Sequence, residues 1–359
     1  MTSTAMPKDV AKLRMRTQRI TSTSFDQPEE VVAWLGAVQA QDYLGALWGV
    51  GLRLRRGVEG DVERALAEGR IVRTWPLRGT LHFVAAADAR WILELLGARV
   101  LSRAAGRLRT FGVDRPTLAR ARAILARELR DGKSLTRAAA YAALERGKVP
   151  TQSQRGLHIL WHLAHERFLC FGPRAGKQQT FVLFDEWIPA SRRRTCEEAR
   201  AELACRYFRG HGPATVADFA WWSGLGKTEA RTAVRDASRE LLEERIGDET
   251  YWRIRGTRGE PSSRPRARAY LLPAFDEFLV GYADRSAALD QAHAARVNDG
   301  GGILNPTMVI DGRVVGTWKR ALAGRRVTFA PSPFAPLDRS ARRALDEALA
   351  RYRRFLGAE

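Results

Sequence analysis

A chain of 359 residues is longer than one hydrophobic core usually serves, so several modules are expected. With 45% hydrophobic and 28% charged residues it is not a disordered chain, and apolar runs such as Val31 to Val38 are far too short to cross a bilayer. Lys and Arg number 60 against 40 Asp and Glu, and the resulting net charge of +20 points to a polyanionic partner, of which nucleic acid is the commonest.

The opening stretch "MTSTAMPKDVAKLRMRTQR" lacks the apolar core of a secretory signal, and a cytoplasmic location associated with the nucleoid is expected. The cysteines Cys170, Cys196 and Cys205 are odd in number and have no CxxC spacing. Neither a zinc ribbon nor a disulfide framework is supported, and they read as small packing residues in a reducing compartment.

In chain order, a helix is predicted over Asp9–Arg19 and another after "FDQPEE", where Asp26 can cap and Pro28 suits the first turn. If that helix covers 27–38, Val31, Val32, Leu35 and Val38 share its buried face. It runs into "VQAQDY" at 38–43. On a continuing helix Gln39 and Gln41 would diverge by about 200°, because each residue turns about 100°. Only if the helix ends near Gln39 and an extended step follows can both amides face one side. "DVERALAEG" is a further helix ended by Gly69, and "RIVRTWPLRGTLHFV" makes a hairpin turning around Pro76 to Gly79. Arg73, Arg78 and His82 lie in this wing and are expected to touch DNA, with Arg78 at its tip.

Two bracing helices follow, "DARWILELLGARVLSRAAGRLRTFG" and one capped near Asp114 and Pro116. The order of helix, helix and hairpin then recurs twice. It appears in "SLTRAAAYAALERG", "SQRGLHILWHLAHERFL" and "CFGPRAGKQQTFVLF", and again in "CEEARAELACRYFRGHG", "TVADFAWWSGL", "KTEARTAVRDASRELLEERIG" and the strands around "GDETYWRI". Three helices and a small hairpin form the winged helix-turn-helix plan, so three tandem modules are predicted. Residues 255–268 read as a linker or DNA-facing loop. Beyond them "AYLLPAFDEFLVGY", "TMVIDGRVVGTWKR" and "RRVTFAPSPF" read as strands, with Asp311-Gly312 as a tight turn and an amphipathic helix over Ser340 to Phe355. Arg285, Arg313, Lys319 and Arg320 in this region are further DNA-contact candidates. The expected fold class is α+β, three tandem winged helix-turn-helix modules plus a C-terminal β-barrel-like domain. Its segments are 1–132 (first module with "VQAQDY" and bracing helices), 133–190, 191–256 and 257–359.

An amide has no useful pKa and cannot serve as an ordinary general base. Two amide oxygens can hold a water in line and stabilise a developing cation, which suffices when the leaving group is already good. Hydrolysis of the N-glycosidic bond of an N7- or N3-alkylated purine fits that requirement.

Together, "WLGAVQAQDY", "TWPLRGTLHFV", "LLPAFDEFLVGY" and "GTWKR" resemble, in this order, the AlkZ/YcaQ-type winged-helix DNA glycosylases. The resemblance spans nearly the whole chain. It implies a concave, basic DNA cradle built from three winged helices and a β-barrel, and monofunctional excision of alkylated bases without a metal or other cofactor. It puts Gln39 and Gln41 in the two catalytic positions, and Gln rather than Asp at the second places the chain near the AlkZ-like branch. That branch is associated with bulky adducts and with interstrand crosslinks made by DNA-alkylating natural products. The implied partner is double-stranded DNA carrying alkylated bases, bound by a monomer and with no membrane involved. Asp42 is then structural, as a cap or in a salt bridge.

Other features read differently. His158 and His162 have the i, i+4 spacing of a metal pair, but a third ligand is missing and Glu166 is misplaced for HExxH chemistry, so no metal site is expected. Trp221 and Trp222 are expected in the core of their helix rather than stacked on bases. "NDGGGILNP" lacks the Lys-Ser/Thr of a P-loop, and the arginines at 192–194 form a solvated cluster. The rival readings are a non-enzymatic winged-helix regulator, which would normally be a symmetric dimer, and a hydrolase using the Asp42 carboxylate.

Overall fold

A computed structural model describes residues 7–190, 192–256, 268–300, 302–323 and 326–358. The chain forms two compact units, Met1–Glu63 with Ala201–Glu359, and Arg64–Arg200.

The first unit opens on α1 (Pro7–Thr17) and α2 (Pro28–Leu35). The residue at the start of α2 is Gln27 and not the expected Asp26. Its N–H donates to the Glu30 carboxylate at 3.2 Å, and Pro28 fills the first turn. Asp26 instead meets Arg55 at 3.3 Å on the surface. α2 stops at Leu35, short of the predicted Val38, because Gly36 takes φ 79°. A Cβ there would also press on the Trp222 ring at 3.3 Å. The short strand β1 (Val38–Gln39) and α3 (Tyr43–Gly51) follow, then α4 (Glu59–Ala67).

In the second unit β2 (Ile71–Leu77) pairs antiparallel with β3 (Thr80–Ala85). Arg78 and Gly79 form the turn with φ 54° and 74°, the left-handed pair that a tight hairpin of this twist requires. The register shifts between Thr74 and Leu77, around Pro76, which has no N–H for the ladder. α5 (Ala86–Thr110) and α6 (Arg115–Leu129) are the predicted bracing helices, and the Asp114 side chain caps α6 by accepting from Thr117 N at 2.9 Å. β4 (Leu135–Thr136), α7 (Arg137–Arg146), α8 (Arg155–His165), β5 (Leu169–Phe171), β6 (Thr180–Leu183) and α9 (Phe184–Trp187) complete the unit, with the sheet in the order β4-β6-β5. Leu108, Leu125, Leu129, Leu144, Ile159 and Phe181 bury one shared core. The bracing helices therefore pack with the second helical group, across the 132/133 boundary expected from sequence.

The chain returns to the first unit in α10 (Cys196–His211), then α11 (Val216–Ser223), α12 (Lys227–Asp236) and the hairpin β7 (Leu241–Ile246) and β8 (Glu249–Ile254). Thr215 and Asp218 cap α11 reciprocally, each backbone N–H bonded to the other's side chain at 3.0 Å. Of the linker expected at 255–268, residues 257–267 lie outside the described residues. β9 (Ala269–Leu272), α13 (Glu277–Val280), α14 (Ala294–Val297), β10 (Thr307–Ile310), β11 (Arg313–Ala323), β12 (Arg326–Pro333) and α15 (Arg339–Leu356) end the chain. Here the expected barrel is corrected. The four strands form an open antiparallel sheet in the order β12-β11-β10-β9, too few to close on themselves. α15 packs on β9 instead, where Tyr352 and Phe355 meet the Trp48 ring at 4.9 and 5.1 Å between centroids.

One buried cation ties this unit together. Arg53 is 1% exposed, yet all five of its N–H groups are bonded. They reach Gln18 O, Gly49 O, Gln18 Oε1 and both oxygens of Asp276, all at 2.7 to 2.9 Å. Arg53→Met should cost about 3–5 kcal/mol of stability by chemical denaturation at neutral pH, because it strands the Asp276 carboxylate in the core. In the second unit, burial lowers the His165 pKa from 6.5 to about 4. The unfolded chain therefore takes up the proton first, and stability falls as pH drops from 6.5 through about 4. At pH 4 the loss from this group is on the order of 3 kcal/mol, which His165→Gln should abolish when wild type and variant are melted side by side across that range.

Candidate functional site

The extended step required by the amide pair is present. Gln39 closes β1 at 6% exposure, Ala40 is fully buried and Gln41 is exposed. Residues two apart on extended backbone share a side, and Gln39 Nε2 donates to Gln41 Oε1 at 2.6 Å. A buried amide thus holds an exposed one and removes its rotamer freedom. Gln41 Oε1 has a second lone pair, so it can accept from a water while it is held. The pair can orient a nucleophile and offer partial negative charge, but it takes no proton at ordinary pH.

Asp42, the obvious acid in the motif, is occupied elsewhere. It is the N-cap of α3, with Oδ1 accepting from Gly45 N at 3.1 Å. Any Cβ at position 45 would run into that carboxylate. Capping accounts for Asp42 without assigning it a part in hydrolysis.

Behind the amides lies a second buried acid. Glu277 is 1% exposed, and its Oε1 accepts from the backbone N–H of Gln39 at 2.9 Å. Its Oε2 accepts from Trp222 Nε1 and meets His211 Nε2, both at 3.1 Å. His211 is fully buried, its Nδ1 is 3.2 Å from Tyr207 O, and its ring stacks on Tyr207 with centroids 4.7 Å apart. Glu277 O in turn accepts from Gln18 Nε2, the side chain that also holds Arg53. Neither Glu277 nor His211 stands out in sequence by spacing. The signal that could have found Glu277 is an acidic pair set in the apolar run "LLPAFDEFLVGY", where an ionised carboxylate must be buried against partners.

The expected DNA contacts are placed unevenly. Arg73 is 7% exposed with its guanidinium 4.9 Å from the Phe171 ring centre, and His82 is fully buried with Nδ1 2.9 Å from Thr80 O. Neither side chain is presented to solvent, because both lie on the packed part of the hairpin. Arg78, at the turn, is partly exposed. Arg285 points inward, donating to Leu279 O at 2.9 Å, and burial holds its pKa below the usual guanidinium range. Arg313 donates to Ser286 O and Ala287 O, and Arg320 to the Tyr352 hydroxyl. Lys319 is exposed on β11.

Trp222 is buried as expected, whereas Trp221 is 46% exposed, with its indole N–H donating to Val280 O at 3.1 Å. His158 stacks on Phe111 and His162 meets Glu166 at 3.2 Å. Among the described residues no three His, Cys, Asp or Glu side chains are grouped so as to hold a metal, and no helix is long and apolar enough to cross a membrane.

The chain is 27% identical, over 91% of its length and 90% of the relative's, to an interstrand DNA cross-link repair glycosylase of Streptomyces sahachiroi. The solved structure of the DNA glycosylase AlkZ from the same organism superposes with a TM-score of 0.79 at 26% identity, covering 100% of this chain and 98% of that one. Residues 32–355 match the family model described as DNA glycosylase AlkZ-like, a span that includes Gln39, Gln41 and Glu277. The chain therefore belongs to the AlkZ-like DNA glycosylases.

Proposed function

We propose that this glycosylase hydrolyses the N-glycosidic bond of cationic alkylated purines, N7-alkylguanine and N3-alkyladenine, in double-stranded DNA, with Gln39 and Gln41 as its catalytic residues. The observation that carries the reading is the 2.6 Å hydrogen bond by which buried Gln39 holds exposed Gln41. In the proposed step the C1′–N bond breaks and its electron pair neutralises the cationic base, which leaves. A water held by the amides adds to C1′ of the oxocarbenium-like sugar, and its proton passes to solvent. No protein group has to change charge, which is the one demand an amide pair can meet.

The substrate range rests on the same chemistry. A base that is already cationic needs no acid to help it leave, so a tight pocket around a flipped base is not required, and bulky adducts or interstrand crosslinks fall within reach. The relative named for cross-link repair, and Gln rather than Asp at the second position, favour that extension and with it resistance to a DNA-alkylating natural product. Three helical groups, each followed by a hairpin, favour three tandem winged modules acting on DNA as a monomer. Arg78 at a hairpin tip and exposed Lys319 are the strongest of the proposed phosphate contacts.

Single-turnover release of 7-methylguanine from an N7-methylated duplex tests the reading. Gln39→Ala and Gln41→Ala should each slow release by about a hundredfold, while Asp42→Asn, which still caps α3, should stay within about twofold of wild type. Loss of activity in the Asn variant alone would return the role to the carboxylate. The rate at saturating enzyme should also be flat over about pH 6 to 9, since neither reactive side chain ionises. Replacing Lys319 by Ala should weaken binding to any DNA sequence alike and reduce the slope of log affinity against log salt by about 1.

A further inference from the structure

A carboxylate withdrawn this completely from water is costly unless every lone pair in reach is used. Glu277 accepts from Gln39 N on one oxygen and meets Trp222 and His211 on the other. Only the first of these bonds leads to the amide pair. β1 is two residues long and follows Gly36, where α2 has already ended.

The geometry points to Glu277 as the positioning residue of the reaction, a buried carboxylate that grips the Gln39 backbone and thereby keeps both amides on one side of the extended step. This inference rests on the roles proposed above for Gln39 and Gln41. Asp276, the residue before it, is held by both arms of Arg53, and the Glu277 carbonyl is held by Gln18, so the carboxylate is mounted on a segment bonded on both sides. His211 and Trp222 fix its far oxygen and leave the near one aimed at Gln39 N. Displacing Gln39 by even a fraction of an ångström would misdirect Gln41, whose orientation depends on the 2.6 Å bond between them.

Glu277→Gln tests this in the full chain. The variant keeps the shape but brings an NH2 group against at least one of the donors that the carboxylate accepts. Release of 7-methylguanine at saturating enzyme should slow by about tenfold or more, with affinity for the same duplex within about twofold. In a Gln39→Ala background the same substitution should cause less slowing than in wild type, because the side chain through which the aimed backbone holds Gln41 is already gone. Hydrogen exchange at the Gln39 amide should be faster in Glu277→Gln than in wild type. Trp222→Phe, which removes one donor and preserves the charge, should show a smaller loss with the same dependence on Gln39, and it serves if Glu277→Gln does not fold. Wild-type release with Glu277→Gln unchanged overturns this inference alone, as do losses that multiply in the double variant, since those would mark a general structural role. Wild type that releases no base from either methylated or crosslinked duplex overturns the proposed function and this inference with it.

Discussion

The first unit is organised around two adjacent buried acids. Asp276 and Glu277 follow one another in the chain, and each is matched to a different partner set, Arg53 for the first and Gln39, Trp222 and His211 for the second. Unpaired, either charge would cost more than most single contacts contribute, so the segments bearing the partners must all arrive together. That requirement joins the turn after α1 through Gln18, α3 and its following turn through Gly49 and Arg53, and α10 and α11 through His211 and Trp222. The extended step at β1 depends on this arrangement through the bond from Gln39 N to Glu277.

Placing neutral amides beside an available carboxylate has a physical rationale. Asp42 caps α3, and a capping carboxylate is already bonded to backbone N–H and fixed by it. Gln41 has no such duty and stands exposed, while Gln39 supplies the hold from below. In the proposed reaction the leaving base carries the positive charge into the step, so an ionisable group would add strength where none is needed. An amide also keeps the same charge at every pH the protein meets.

The excess of 20 positive charges is not spent on one surface. Arg14 lies 3.7 Å over the Tyr282 ring and pairs with Asp218, and Arg53 is wholly internal. Arg73, Arg285, Arg313 and Arg320 are similarly engaged by rings, carbonyls or a hydroxyl. A guanidinium has five donors and a flat face, so it can bind several loops at once, and part of this chain's arginine serves that purpose.

Much of this was present in the sequence. The helices after "FDQPEE", before Gly69 and after Asp114, the hairpins at Arg78-Gly79 and Asp311-Gly312, and the amphipathic last helix are written in local signals: caps, positive-φ turns and apolar period. The motif "VQAQDY" and its companions carried the family, and the spacing of the amides set the condition of an extended step that the backbone meets. Tertiary packing decided the rest, because these features depend on residues far apart in the chain. Four strands left open under α15, Arg73 and His82 turned inward, Trp221 left at the surface, and a glutamate at 277 gripping the amide at 39 are outcomes of burial. Local pattern says that a charge sits in an apolar run; only the folded neighbourhood says which distant partners make that position affordable.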